Sequence, residues 1–191
     1  MSDTVEVYYK YKFPRPSVTA TLVVIRVVDG KPMLVLGRRS LNSGAYPGYW
    51  ALCGGFLDAK VAMEDYHFER VPGSPAREPQ TTVTLRAGET LEQAICREAK
   101  EEFDLDITPV DVVLYHNSSH PDTDPRCHVI NACYYVVIDA DVKLTPGDDV
   151  IELSEVPLEQ WYQSHPVLAF DHASLIHIFS KRAFSPPILT F

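Results

Sequence analysis

Runs of apolar residues along the chain predict a series of β-strands. Residues 18–28 (VTATLVVIRVV) are rich in β-branched side chains and end at Asp29-Gly30, a turn pair typical of hairpins, and apolar residues resume at 33–36. Further strands are predicted at 50–57, 105–116, 129–138 and 150–156. The last of these precedes residues 158–163, to which the pattern assigns no element. Together with the helices described next, this order predicts an α+β protein with helices packed on a mixed sheet.

Two segments are predicted to be helices. Residues 89–103 contain mostly good helix formers with no Gly or Pro, and residues 172–182 form the second helix. Between these elements, residues 60–87 contain three prolines and several charges, and only 81–85 resemble a strand. We expect this stretch to be an insertion within one domain spanning 1–191, because its 28 residues exceed an ordinary connection.

Composition and charge narrow the classes of partner. A net charge of −9 over 191 residues argues against nucleic acid as a partner, whereas a phosphorylated ligand remains compatible if metal ions supply positive charge. The start of the chain does not resemble a signal peptide, and no apolar run is long enough to span a membrane. The four cysteines form no CxxC pair. We therefore expect a cytoplasmic protein that does not bind membranes.

The first helix combines apolar and acidic residues on one side. An advance of about 100° per residue places the following residues together: Leu91, Ala94, Ile95, Glu98, Glu101 and Glu102. Carboxylates gathered in a cleft resist ionisation, and a divalent cation with oxygen ligands, such as Mg²⁺, resolves that conflict. On helix geometry alone, the alternative is a surface helix in which Arg97 and Lys100 form exposed ion pairs with nearby acidic residues.

The residues around this helix resemble a known motif. Glu89 is followed by seven residues and then by 97–105 (REAKEEFDL), while residues 50–59 (WALCGGFLDA) precede the insertion. Joining residue 59 to residue 88 gives GGFLDAGETLEQAICREAKEEFDL, with Gly55 at the required distance before Glu89. This resembles the Nudix box, Gly-x5-Glu-x7-Arg-Glu-(apolar)-x-Glu-Glu-x-Gly-(apolar), split by the insertion. Asp104 replaces the last glycine, and aspartate tolerates the left-handed conformation better than most residues.

The resemblance implies a fold and an activity. The Nudix fold has a mixed β-sheet packed between helices, an α/β/α sandwich, and Nudix hydrolases use Mg²⁺, with Mn²⁺ as an alternative, to cleave a nucleoside diphosphate linked to another group. By the same resemblance, Glu98 and Glu102 are the main metal ligands and Glu101 binds a further metal or water. The Gly54 carbonyl completes the metal site.

The same motif implies roles for Arg97 and Glu89 but does not identify the general base. The resemblance implies that Arg97 and Glu89 brace the junction between loop and helix, close to the catalytic carboxylates. It leaves the general base open. The acidic segment 147–155 supplies four candidates, although a solvated acidic turn is the alternative: Asp148, Asp149, Glu152 and Glu155.

Two shorter segments indicate the substrate. Residues 118–130 (SSHPDTDPRCHVI) and 168–172 (LAFDH) resemble segments of ADP-ribose pyrophosphatases and of Nudix regulators of NAD metabolism. The resemblance implies hydrolysis of ADP-ribose to AMP and ribose 5-phosphate, with a nucleotide derivative as the small-molecule partner. The alternative is a non-catalytic Nudix sensor domain that binds ADP-ribose or a related metabolite. Because many members of the family are homodimers, the resemblance also implies that this chain can form a homodimer.

The residues expected to bind the substrate each have a structural alternative. They are Arg126, Tyr49, Trp50 and Asp171. The guanidinium of Arg126 can bind a phosphate or ribose, or it can pair with a neighbouring aspartate. Tyr49 and Trp50, together with Tyr46, can stack on a base or pack within their loop. Asp171 can line the site or cap the second helix.

Overall fold

The computed structural model describes residues 15–58 and 88–183, so the predicted insertion at 60–87 and its strand-like stretch lie outside the described residues. Among the described residues, Pro16–Leu57 and 90–183 belong to one compact unit, and Asp58 and Glu89 belong to another. The elements, in chain order, are β1 (Ser17–Val28), β2 (Lys31–Arg39), β3 (Trp50–Ala51), β4 (Cys53–Phe56), α1 (Leu91–Phe103), β5 (Val113–Ser118), β6 (Val129–Ile138), β7 (Val150–Pro157), α2 (Trp161–Ser164) and α3 (His172–Ala183).

Strand β1 is at the centre of a mixed sheet that has seven strands within the described residues. It pairs in parallel with β6 and antiparallel with both β2 and β4. The sheet extends from β6 to β5 on one side and from β2 to β3 and β7 on the other. The predicted hairpin is confirmed, since Asp29 and Gly30 at its turn have left-handed φ values of 50° and 73°.

Alternate residues of the sheet pack against helices on opposite faces. One core contains α1 together with Ala20, Leu22 and Val24 of β1. The other contains α3 together with Val23 and Ile25 of the same strand. Because successive side chains of a strand point to opposite faces, these two cores place the sheet between α1 and α3. The predicted α+β fold with a sheet packed between helices is confirmed. Among the described residues, no helix has the length and apolar character needed to cross a membrane.

Three predicted boundaries are wrong. The strand predicted at 105–116 begins only at Val113, because a turn held by the Asp111 carboxylate and the backbone N–H of Thr108 occupies its first half. The strand predicted at 50–57 is interrupted at Leu52, since β3 pairs with β2 whereas β4 pairs with β1. Helix α1 begins two residues later than predicted, at Leu91.

Local signals explain both ends of α1. Thr90 is the N-cap of a capping box: its hydroxyl accepts from the backbone N–H of Gln93, and the Gln93 side chain accepts from the backbone N–H of Thr90. At the other end, Asp104 has a left-handed φ of 52°. The expectation that aspartate takes the place of the usual glycine is therefore confirmed.

Candidate functional site

The three acidic residues of α1 differ in exposure. Glu98 and Glu102 lie on the buried side of the helix, 9% and 5% exposed. The predicted inward position of Glu101 is wrong: its side chain is 46% exposed and pairs with Arg97. Glu98 and Glu102 are one turn apart, so α1 directs both towards the same strand, β4.

Two glycines allow the backbone of β4 to approach these carboxylates. The N–H of Gly54 donates to Oε2 of Glu102 at 2.9 Å. A Cβ added to Gly55 would overlap the carboxylate of Glu98, and one added to Gly54, whose φ is 146°, would overlap the carbonyl of Ala20. A side chain at Gly54 would clash with backbone, whereas one at Gly55 would displace the Glu98 carboxylate, which gives each glycine of the motif a steric reason.

Burial makes both inward carboxylates resist ionisation. It raises the pKa of Glu102 to about 8, against the hydrogen bond from Gly54, and repulsion from Glu98 adds to the increase. Burial also raises the pKa of Glu98, while Arg97 acts in the opposite direction. The pKa of the neighbouring Cys53 thiol is raised as well, first by burial and then by the charge of Glu102. A cation beside these oxygens would favour their ionised form.

Arg97 connects the acidic side chains to β4. Its Nη1 donates to Glu98 at 2.7 Å and to Glu101 at 3.0 Å, and its Nη2 donates to the carbonyl of Phe56 at 3.1 Å. In the other compact unit, the carboxylate of Glu89 accepts from the backbone N–H of Asp58 at 2.8 Å. Both contacts agree with bracing roles, which remain predictions.

The donor set suits a hard divalent cation. Mg²⁺ prefers oxygen ligands, and burial raises the pKa of both Glu98 and Glu102, so an added positive charge would stabilise their ionised forms. Within residues 15–58 and 88–183, however, no three or more His, Cys, Asp and Glu side chains are arranged as a preformed metal site. A cation here would therefore need water and ligand oxygens as well, which is how Mg²⁺ usually binds.

The four candidate general bases differ in whether their carboxylates form ion pairs. Three are held in ion pairs, with N–O distances of 3.1, 3.2 and 3.0 Å: Asp149–Arg39, Glu152–Arg38 and Glu155–Arg26. Asp148 is exposed, and in the part of the chain that the structure describes its carboxylate has no hydrogen-bond or ion-pair partner. Its charge contributes to the raised pKa of Glu98, after burial. Asp148 is therefore the candidate within electrostatic reach of the carboxylates and free to accept a proton.

Arg126 is held by one carboxylate and two aromatic rings. Its Nε and Nη2 donate to Asp124 at 3.0 and 2.7 Å. The guanidinium carbon lies 4.8 Å from the ring centre of Phe56 and 5.6 Å from that of Phe170. The hydrogen bond from Arg126 lowers the pKa of Asp124. The alternative of a pair with a neighbouring aspartate is thus confirmed, but the Arg126 side chain stays 42% exposed and accessible to a ligand.

The candidate aromatic residues have different surroundings. Tyr49 is 42% exposed and makes an edge-on contact with Tyr46, which in turn contacts Phe170 with ring centres 4.8 Å apart. Trp50 is partly buried against the α3-side core, and its ring lies 4.6 Å from that of His165. Tyr49 therefore retains a surface on which a base can stack, whereas the surroundings of Trp50 favour packing.

Asp171 and His172 connect α3 to the sheet. The Asp171 carboxylate accepts from the Ser118 hydroxyl at 2.7 Å, and its backbone carbonyl accepts the first helical hydrogen bond from Leu175. The buried His172 accepts the backbone N–H of Leu52 through Nδ1 at 2.9 Å, and burial lowers its pKa to about 4. A neutral His172 thus holds the residue between β3 and β4.

Phe56 and Phe170 contact Arg126 in this site, although neither was predicted as a site residue. Phe56 directly follows the two glycines, and Phe170 belongs to the LAFDH segment, so both lay inside motifs already identified. Neither motif indicates that the two rings meet at Arg126. Phe170 also has a left-handed φ of 54°, which is rare for a bulky residue and which no sequence pattern here predicts.

Comparison with known families agrees with the geometry. A model of the NUDIX domain matches residues 16–178. The chain belongs to the NUDIX domain family. The matched range contains both halves of the split Nudix box and every candidate residue named above, so the family predicted from the box is confirmed.

One curated relative of this Nudix chain is an ADP-ribose pyrophosphatase from Methanocaldococcus jannaschii. The two are 42% identical over 93 residues, which cover 48% of this chain and 50% of the relative. The chain thus spans about half the length of the relative it matches. Together with the family match, this relative supports the prediction of a Nudix hydrolase.

Solved structures share the fold at low identity. The NUDIX domain of Shewanella oneidensis NrtR, complexed with ADP ribose, has a TM-score of 0.64 and 21% identity over 89% of this chain and 90% of that one. A bifunctional NMN adenylyltransferase/ADP ribose pyrophosphatase from Francisella tularensis, complexed with AMP and Mn, has a TM-score of 0.63 and 20% identity over 90% of this chain and 43% of that one. These likenesses support the Nudix fold.

Proposed function

We propose that this Nudix chain hydrolyses ADP-ribose to AMP and ribose 5-phosphate in a reaction that depends on a divalent cation. The observation that carries the proposal is the pair of buried carboxylates, Glu98 and Glu102, packed against Gly55 and Gly54 in the register of the Nudix box. The pyrophosphatase relative supports the choice of ADP-ribose.

Glu98 and Glu102 would hold the cation, Mg²⁺ or Mn²⁺, with Glu101 and the Gly54 carbonyl as further ligands. When bound, the cation supplies positive charge that neutralises the diphosphate and favours deprotonation of an attacking water. Arg97 keeps Glu98 and Glu101 in place through its two hydrogen bonds.

The remaining residues would position the water and the substrate. Asp148 accepts the proton of the attacking water, because the other candidate bases are engaged in ion pairs. Arg126 donates its remaining N–H groups to a phosphate or ribose oxygen, and Tyr49 offers an exposed ring to the base. Asp171, held by Ser118, would line the same site, while Trp50 would support it by packing.

A panel of substrates tests the proposal. The purified chain is incubated with Mg²⁺ and, separately, with ADP-ribose, NADH, nucleotide sugars, dinucleoside polyphosphates and nucleoside triphosphates. We expect AMP and ribose 5-phosphate from ADP-ribose, and no product from the Glu98→Gln, Glu102→Gln variant or after removal of metal with EDTA. Glu159→Gln, a change of the same type at an exposed position, is the matched control and should retain full activity.

The alternative function is a sensor domain for ADP-ribose, which the ADP-ribose complex of the NrtR domain favours. It predicts calorimetric binding of ADP-ribose without turnover of any compound. Metal-dependent cleavage of a different compound, lost in the double variant, would keep the hydrolase and change its substrate.

A further inference from the structure

The ring of Phe170 contacts two arginines, each of which is fixed by its own aspartate. The guanidinium carbons of Arg39 and Arg126 lie 5.5 and 5.6 Å from its ring centre. Arg39 pairs with Asp149 at 3.1 Å, and Arg126 pairs with Asp124 at 2.7 Å. Phe170 thus joins the segment that carries the candidate bases to the arginine expected to bind the substrate.

The backbone of Phe170 is held in an unfavourable conformation. Its φ of 54° lies in the left-handed region, where a large side chain is disfavoured. Neighbouring contacts maintain this conformation: the preceding Ala169 donates to the carbonyl of Trp50 at 2.9 Å, and the Tyr46 ring lies 4.8 Å from that of Phe170. Backbone strain of this kind persists where surrounding structure enforces it, and it concentrates at ligand sites.

The contacts of Arg126 define which of its groups can bind a ligand. A guanidinium has five N–H donors in one plane, and Asp124 accepts from two of them. Within the described residues the other three have no protein acceptor, and the side chain is 42% exposed. The rings of Phe56 and Phe170 contact the guanidinium as cation–π partners and limit its rotation. The remaining N–H groups therefore form an ordered edge suited to an oxyanion or a pair of hydroxyls.

We propose that Phe170 is a positioning residue, whose ring orders Arg126 so that its free N–H edge meets a phosphate or ribose oxygen of the ligand. This inference rests on the proposed function, in which Arg126 binds ADP-ribose. It adds that Phe170 acts through Arg126 rather than by contacting the ligand itself.

A double-mutant cycle between Phe170 and Arg126 tests this role. KM and kcat for ADP-ribose, and Kd measured by calorimetry in EDTA, are determined for Phe170→Leu, Arg126→Gln and the double variant. We expect KM and Kd to rise about fivefold for Phe170→Leu and about tenfold or more for Arg126→Gln. The value of kcat should stay within about twofold of the original, because in the described residues neither side chain is bonded to the carboxylate of Glu98 or Glu102. The double variant should resemble Arg126→Gln alone, because the ring then no longer has the Arg126 guanidinium to order, while its contact with Arg39 is the same in both backgrounds.

Two further variants control for general effects. Phe170→Tyr keeps the aromatic ring and should restore the original KM. Tyr162→Leu removes an aromatic ring that is 65% exposed and outside the site, and it should leave KM and kcat unchanged. Thermal melting identifies variants that fail to fold.

The results distinguish failure of the positioning role of Phe170 from failure of ligand binding by Arg126. The positioning role of Phe170 is overturned if Arg126→Gln raises KM but Phe170→Leu does not. It is also overturned if Phe170→Leu raises KM by the same factor in the Arg126→Gln background. In either case, ligand binding by Arg126 stands. If Arg126→Gln changes neither KM nor Kd, its assignment within the proposed function fails as well. In both cases the cleavage assay with the Glu98, Glu102 double variant still tests the hydrolase independently.

Discussion

Replacing Gly55 with alanine should damage the site more than the fold. The new Cβ would lie 2.5 Å from Cδ of Glu98 and 2.7 Å from its Oε2, so the carboxylate must move by about 1 Å to reach ordinary contact. Because a side-chain end rather than backbone moves, we expect destabilisation near the lower limit for overpacking, about 1 kcal/mol. If Glu98 holds the cation as proposed, a displacement of this size should lower the rate about 100-fold.

The neighbouring glycine gives the opposite expectation. A Cβ on Gly54 meets the backbone carbonyl of Ala20, which cannot move independently, and the φ of 146° adds strain. Gly54→Ala should therefore lower the free energy of unfolding by more than Gly55→Ala does.

These variants are compared by kcat/KM for ADP-ribose and by urea unfolding. Gly44→Ala is the matched control, because a Cβ at Gly44 meets no atom within 4 Å, and it should change neither quantity. Full activity in a folded Gly55→Ala protein would refute the reasoning, since it would mean that the position of Glu98 seen here does not matter for turnover.

Three further changes probe separate features. Burial in the folded protein lowers the pKa of His172 to about 4. Because the unfolded chain therefore protonates at His172 more readily, up to about 3 kcal/mol of the free energy of unfolding should be lost as the pH falls from 6.5 towards 4. His172→Asn keeps an acceptor for Leu52 and should show a shallower loss in urea unfolding at each pH; an unchanged slope would contradict this. Thr90→Ala removes the cap bond to Gln93 and should cost about 1 kcal/mol, with an unchanged urea midpoint as the contrary result. Asp148→Asn should lower kcat by about 100-fold or more with little change in KM, and an unaltered kcat would exclude it as the base.

The elements that depend on local signals could be predicted from the sequence. Helix α1 is defined by good helix formers, the Thr90 cap and the left-handed Asp104, all of which lie within or beside it. The hairpin between β1 and β2 likewise depends on Asp29-Gly30 alone. Helical periodicity predicted the buried positions of Glu98 and Glu102, because each residue's angle about the axis is fixed by its number. The same criterion failed for Glu101, whose side chain pairs with Arg97 and stays 46% exposed.

Predictions failed where local side-chain bonds or distant partners decide the structure. Leu105 and Val112 are buried, so their apolar character suggested a strand. The turn between them is set by Asp111, whose carboxylate accepts both the backbone N–H and the hydroxyl of Thr108. The break at Leu52 depends on which strands pair with its neighbours, and His172, 120 residues away, accepts its N–H.

The contacts of Arg126 could not be predicted either, because they depend on how β4 is aligned with β1. Gly55 pairs with Ala20 and approaches Glu98, whereas Phe56 pairs with Thr19, so its ring extends from the other face of the strand to Arg126. A slip of one residue would place the Phe56 ring against the Glu98 carboxylate and turn a glycine towards Arg126. The close approach of Gly54 to the backbone of β1 opposes such a slip. The positions of the carboxylates and of Arg126 therefore depend on one strand register, and a change that shifts β4 should disturb the proposed cation site and the proposed ligand contact of Arg126 together.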